Sequence, residues 1–539
     1  MTLPGGGTWH YEYTLRPVGY DPSKYGPVLT NLTDDQGRIV EYQTDLQGGM
    51  DKVRYNEVYD GNGALVSYCQ ANYGYDMYTN GPNGGNSKLE LKTLSSTFTW
   101  PNQYGYPQTR IINQNDYTTD NAGNRLSNTI SIQNLNPDGT PQFDSNNNPV
   151  FTSRTETYGY DELNRLTSVN YGDGGTQSYS FDNTGNRLQK VDSSTGTENY
   201  SYNAANMLLT RGSNGYTNDA DANTLAGGGR TNVWDSQNRL VSCSFNGNTS
   251  SYIYGADGLR HQSTVNGVTT DFALDGDSVV REGQTTGSVF TPSVTYLTGA
   301  MGPIYRRDDT AGGVRWYVFD GLGSVVDEVD PSGNLTDTRG FDVYGAVRSN
   351  SGTATSRHGF SGSLGHTGEN ETGLIYMRAR YMDPVVGRFV SEDPERSGKN
   401  WFEYASSNPV TSVDRSGKWP WLIQMILTLD SQIPQPLKAE IGSWAGYWFL
   451  DPLKARVMAS LSQATLKALT ANMQTAIDAV KDAELDGPDA ADDEISAELS
   501  LQEGANVVEI EQSGEVGTGT TVAGDTAEAE TTAASATLL

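Results

Sequence analysis

The chain has 539 residues and a formal net charge of -29, with 36 Lys and Arg against 65 Asp and Glu. Lys and Arg are what grip a phosphate backbone, so this balance excludes nucleic acid as a ligand of the outer surface. Hydrophobic residues make up only 35%, and the 61 Gly and 31 Tyr, with abundant Asn, Thr and Ser, are what many strands joined by turns require.

The first residues, MTLPGGGTWHYEY, lack the basic start and apolar run of a secretory signal. Export by a route that needs no such signal, or a reading frame that begins inside a longer protein, both fit. No apolar run is long enough to cross a bilayer. Cys69 and Cys243 lie far apart and read as two free thiols. Residues 1–116 read as degenerate β repeats, with a turn at Tyr59-Asp60-Gly61-Asn62-Gly63.

From 117 to 340 the repeat is plain. Asp120-Asn121-Ala122-Gly123-Asn124-Arg125-Leu126 matches Asp182-Asn183-Thr184-Gly185-Asn186-Arg187-Leu188. A form one residue shorter occurs at Asp161-Glu162-Leu163-Asn164-Arg165-Leu166 and Asp235-Ser236-Gln237-Asn238-Arg239-Leu240. Aromatic pairs Tyr158/Tyr160, Tyr179/Phe181 and Tyr200/Tyr202 precede turns opening at 161, 182 and 203, a step of 21. Each pair puts two rings on one face of a strand, and an Asp-led turn then starts the return strand with Arg-Leu. Such a hairpin cannot bury its aromatic face alone, so the units must stack into one sheet whose edges are hidden by coiling. The repeat aspartates are read as turn openers that accept backbone N–H groups.

The stretch 341–418 contains GLIYMRARYMDPVVGRFVSEDP followed by NPVTSVDRSGK. Tyr376, Arg378, Arg380 and Tyr381 fall near alternating positions, and Asp383-Pro384 with Gly387 supplies a turn. Asp383, with Arg380 nearby, reads as a structural turn. His358 and His366 have no Cys or carboxylate at metal-ligand spacing, so neither a metal nor a cofactor is expected.

After Lys418 the composition changes. Trp419 opens an apolar run, Asp451-Pro452 reads as a helix start, and Leu453, Val457, Leu461, Leu466, Leu469, Met473, Ile477 and Val480 lie at helical steps. Residues 419–485 are therefore expected to be an α-helical segment, and 486–539 an acidic low-complexity tail. Residues 419–539 hold five Lys or Arg, nineteen Asp or Glu, no His and no Cys. That excludes His-dependent nucleases, Cys–His proteases and zinc deaminases from this part.

The stretch 373–418, with the Tyr-Asp hairpins before it, resembles the repeat-associated core of bacterial Rhs or YD-repeat proteins. These include polymorphic toxins and the C components of Tc toxins, with teneurins as distant relatives. The resemblance implies a mainly β fold, a hairpin sheet coiled into a full or partial shell around a variable C-terminal segment. It implies that this segment is the chain's own enclosed cargo, that a secretion machinery or an immunity protein is a partner, and that the protein is secreted or at the cell surface. A monomer is expected, with membrane contact through the C-terminal helices.

The resemblance further implies self-cleavage by an aspartate pair, here Asp393 and Asp414, at the bond Lys418-Trp419. Two carboxylates close together in a poorly hydrated place cannot both ionise, so one holds a proton while the other activates water. The family pattern Asp-Pro-x-Gly-Leu reads Asp414-Arg415-Ser416-Gly417-Lys418 here. Arg415 is expected to favour the ionised form of Asp414. Two readings of the pair stand: a self-cutting dyad without turnover, or two turn openers. Two readings of the protein stand with them, a toxin-delivery shell and a non-catalytic adhesion scaffold whose tail is an anchor or assembly element.

Overall fold

A computed structural model describes residues 1–418 apart from 19–20, 45–49, 60–64, 78–88, 102–103, 105, 139, 300–301, 353–355 and 397. The turn expected after Tyr59, the helix expected over 453–484 and the acidic tail lie outside the described residues. The described chain is mainly β, in antiparallel sheets of fifteen, fourteen and four strands. In each sheet every strand pairs with its sequence neighbours, as stacked hairpins must. The first sheet runs from His10–Val18 to Asn214–Gly215, the second from Thr217–Asn218 to Val347–Gly352, and the small third from Thr367–Glu369 to Arg388–Phe389. Pairing continues through Pro107–Thr119 and Leu335–Phe341, where the sequence pattern changes character.

The turns follow one plan. Asp120 Oδ1 accepts the N–H groups of Ala122 and Asn124, each at 2.9 Å, and Asp182 Oδ1 does the same for Thr184 and Asn186 at 2.8 Å. The fourth turn position needs a positive φ, 87° at Gly185 and 59° at Asn164. Asp161 and Asp235 close turns of the same length, accepting from Arg165 N–H at 2.9 Å and Arg239 N–H at 3.0 Å. The turn is therefore the same in both forms, and in the shorter one the Arg takes the fifth position that Asn124 and Asn186 fill in the longer. Because strand faces alternate with period two, that one-residue difference exchanges which side chain points inward. Leu166 and Leu240 are buried in the short form, whereas in the long form Arg187 is buried and Leu188 is exposed. Arg-Leu is thus not one equivalent start to the return strand. Arg187 is accommodated between aromatic faces, 4.6 Å from the Tyr179 ring centre and 4.2 Å from that of Tyr344.

Buried faces of the sheets pack against one another. Val40, Val53, Tyr55 and Ile112 of the first sheet share a core with Leu297, Tyr305, Trp316 and Val329 of the second. Leu166 and Tyr179 pack with Phe360, Met377 and Phe389; Leu240 and Tyr252 pack with Tyr381 and Val390. The small sheet is seated against the aromatic faces of the repeats, which is how units with no core of their own acquire one. Asparagines fasten the segment that follows the small sheet to the repeat turns, with Asn400 Nδ2 donating to Asn186 Oδ1 at 2.8 Å and Asn408 Nδ2 to Asn124 Oδ1 at 2.9 Å. Cys69 and Cys243 are buried free thiols. Among the described residues, no helix is long and apolar enough to cross a membrane.

Candidate active site

The small sheet brings the acidic turns of residues 393 and 414 together. Strands Leu374–Met377 and Arg380–Asp383 are joined through Arg378 and Ala379, with Met377 opposite Arg380. Arg378 has a φ of 61°, a conformation usually left to Gly or Asn. The alternating run expected from Tyr376 to Tyr381 is thus a hairpin turn. Both of its arginines reach the segment 414–418, and Arg378 also pairs with Asp277 at 3.1 Å.

Asp393 and Asp414 are 2% and 0% exposed. Each divides its carboxylate in the same way. Oδ1 accepts a turn N–H, from Glu395 at 3.0 Å and from Ser416 at 3.2 Å. Oδ2 faces Nη2 of Arg380, at 3.8 Å for Asp393 and 3.1 Å for Asp414. The Arg380 guanidinium lies 3.6 Å from the Phe389 ring centre and donates from Nη1 to the Trp401 carbonyl at 2.9 Å.

Burial holds the Asp414 carboxyl above the usual carboxylate range, and the nearby Asp393 adds to this, while Arg380 and the Ser416 N–H act in the other direction. The expectation that Arg415 favours an ionised Asp414 is corrected. Arg415 is exposed, the guanidinium beside Asp414 is that of Arg380, and the net direction is upward.

Beyond Asp414 the chain is held carbonyl by carbonyl. The Arg415 carbonyl accepts from Arg378 Nη1 at 2.6 Å and faces His366 Nε2 at 3.2 Å. The Ser416 carbonyl accepts the Ala379 N–H at 3.2 Å, the Gly417 carbonyl accepts from Arg380 Nε, and the Lys418 carbonyl accepts from Ser416 Oγ at 2.9 Å. Gly417, at φ 70°, presses on the hairpin so closely that a Cβ there would lie 2.1 Å from the Met377 carbonyl oxygen. Trp419 lies outside the described residues.

Asp383 opens a turn, accepting from Val385 N–H at 3.0 Å, but its cation is Arg230 at 2.6 Å and not Arg380. Burial pushes His358 and His366 down to about 3, so both are neutral. The sequence reading missed Arg380, Arg378 and His366 as site residues. The signal for the arginines was their place in and directly after a turn two residues long.

No family model matches the chain. The tRNA3(Ser)-specific nuclease WapA of Bacillus spizizenii is 31% identical over 278 residues, 49% of this chain and 12% of that protein. The tRNA nuclease WapA of Bacillus subtilis is 29% identical over 278 residues, with the same coverage of 49% and 12%. The crystal structure of TcdB2-TccC3-Cdc42 matches with a TM-score of 0.51 at 17% identity, over 75% of this chain and 21% of that one. The fold is an Rhs- and Tc-toxin-like shell. This chain spans 12% of the length of those curated relatives. In this Rhs- and Tc-toxin-like shell, the segment 414–418 is tied back onto the small sheet.

Proposed function

We propose that the chain is the shell of a toxin-delivery protein, secreted or at the cell surface, which cuts itself at Lys418-Trp419 and carries its own residues 419–539 as cargo. One observation carries this: two buried carboxylates share a single arginine nitrogen, and the carbonyls that follow the second are held in place. An arginine stays charged, so one proton shared between the two carboxyls leaves the cluster neutral. In this reading the proton sits on Asp414, whose carboxyl is raised by burial.

In this reading Asp393 takes a proton from a water whose oxygen bonds to the Lys418 carbonyl carbon. Asp414 gives its proton to the Trp419 nitrogen as the C–N bond breaks. One water is consumed, and a new carboxyl terminus and a new amine are left. Partners of the secretion-machinery or immunity type belong to the same reading. The tRNA nuclease activity named for the relatives is not carried over, because residues 419–539 lack His and have a net charge of -14 from five basic and nineteen acidic residues.

Purified full-length chain run under denaturing conditions tests the reading. Two bands that divide at residue 418, and one band in Asp393→Asn or Asp414→Asn, are expected. A single intact band from the parent moves the protein to the scaffold reading.

A further inference from the structure

The geometry points to a lysine-specific seat for the bond to be cut, in which Ser416 is a further catalytic residue and Glu395 sets the specificity. The inference rests on the self-cleavage reading above. The Ser416 hydroxyl donates to the Lys418 carbonyl at 2.9 Å, and the Lys418 N–H returns to the same Oγ at 3.2 Å. That carbonyl belongs to the peptide proposed to be cut. A donor already aimed at it gains strength as negative charge grows on the oxygen during attack.

The Lys418 ammonium lies 3.1 Å from Glu395 Oε1. Each aspartate turn therefore delivers one contact to this residue. Asp414 fixes Ser416 through its backbone N–H, and Ser416 takes the carbonyl. Asp393 fixes Glu395 through its backbone N–H, and Glu395 takes the side chain. The departure from the family pattern is explained by the same pairing: where the pattern has Leu, this chain has Lys and sets an acid opposite it. The ion pair is partly open to solvent, with side chains 44% and 37% exposed, so its effect is modest and weakened by salt.

The test follows pulse-labelled full-length chain made in a cell-free reaction and measures the fraction cut over time on denaturing gels. Ser416→Ala slows the cut by about a hundredfold, while Ser416→Thr, which keeps the hydroxyl, stays within about tenfold of the parent. Glu395→Gln slows it by about two- to fivefold and removes its salt dependence. Lys418→Glu slows it further, and the exchange Glu395→Lys with Lys418→Glu restores it. If Ser416→Ala and Glu395→Gln cut at the parent rate while Asp414→Asn does not cut, the seat is overturned and self-cleavage stands. If the parent itself stays intact, both are overturned together.

Discussion

Asp393 and Asp414 meet on one atom, the Nη2 of Arg380, which lies 3.8 Å from Oδ2 of the first and 3.1 Å from Oδ2 of the second. Their other oxygens open turns, so the two readings of these aspartates in the sequence describe two ends of the same carboxylates. The turns bring the segment 414–418 to the hairpin, and the shared arginine brings the acids to each other.

The rate of self-cleavage is predicted to fall as pH rises. Burial and Asp393 hold Asp414 above its ordinary value of 3.8, so its proton persists beyond the pH at which a free aspartate loses it. A step that uses that proton is present below the raised value and lost as pH passes through it. The fraction cut in newly made chain, measured across a pH series, checks this. A rate that climbs with pH contradicts it.

Asp383 separates stability from cutting. Its partner Arg230 is buried with it at 2.6 Å, and Asp383→Ala leaves that cation unpaired, at a cost of about 3–5 kcal/mol. Denaturant unfolding should show the loss. At temperatures where the variant remains folded, it should still cut, unlike Asp414→Asn.

Glu403 is predicted to make stability depend on pH near neutrality. Burial pushes it up to about 7, with the Ser407 hydroxyl and the charges of Arg165 and Arg388 opposing. The folded chain therefore keeps a proton that the unfolded chain releases near 4.5. Its contribution is complete below that point and is lost as pH rises through about 7. Glu403→Gln should flatten the slope and gain about 1–3 kcal/mol over the parent above neutral pH. Unfolding midpoints measured at acid and alkaline pH test this. An unchanged slope rejects it.

Gly417→Ala is expected to slow the cut by about a hundredfold. A Cβ at φ 70° would lie 2.1 Å from the Met377 carbonyl oxygen and 3.0 Å from the Arg380 nitrogen, so the segment must move off the hairpin. Its unfolding midpoint, measured alongside, separates a shift of this segment from a loss of the fold. Normal cutting in this variant would show that close seating of the segment is not required.

The hairpins were legible because Asp, Gly and Asn act locally, and the bonds from Asp120 and Asp182 are made within their own turns. The inward exchange of Arg187 for Leu166 was not, because it depends on counting strand positions from the turn and not on matching Arg-Leu. The aspartate pair was reached through family resemblance, and its cation was misplaced. Sequence proximity assigned Arg415 to Asp414 and Arg380 to Asp383, whereas the packed sheet gives Arg380 to Asp414 and Arg230 to Asp383. Such pairings are set when the small sheet meets the repeats, and no local pattern encodes them.

Intact mass measurement of the full-length chain beside its Asp414→Asn variant tests the central claim most directly. Two masses that divide at Lys418-Trp419 in the parent, and one undivided mass in the variant, are predicted. An undivided parent, or a variant that divides at the same bond, would contradict the account.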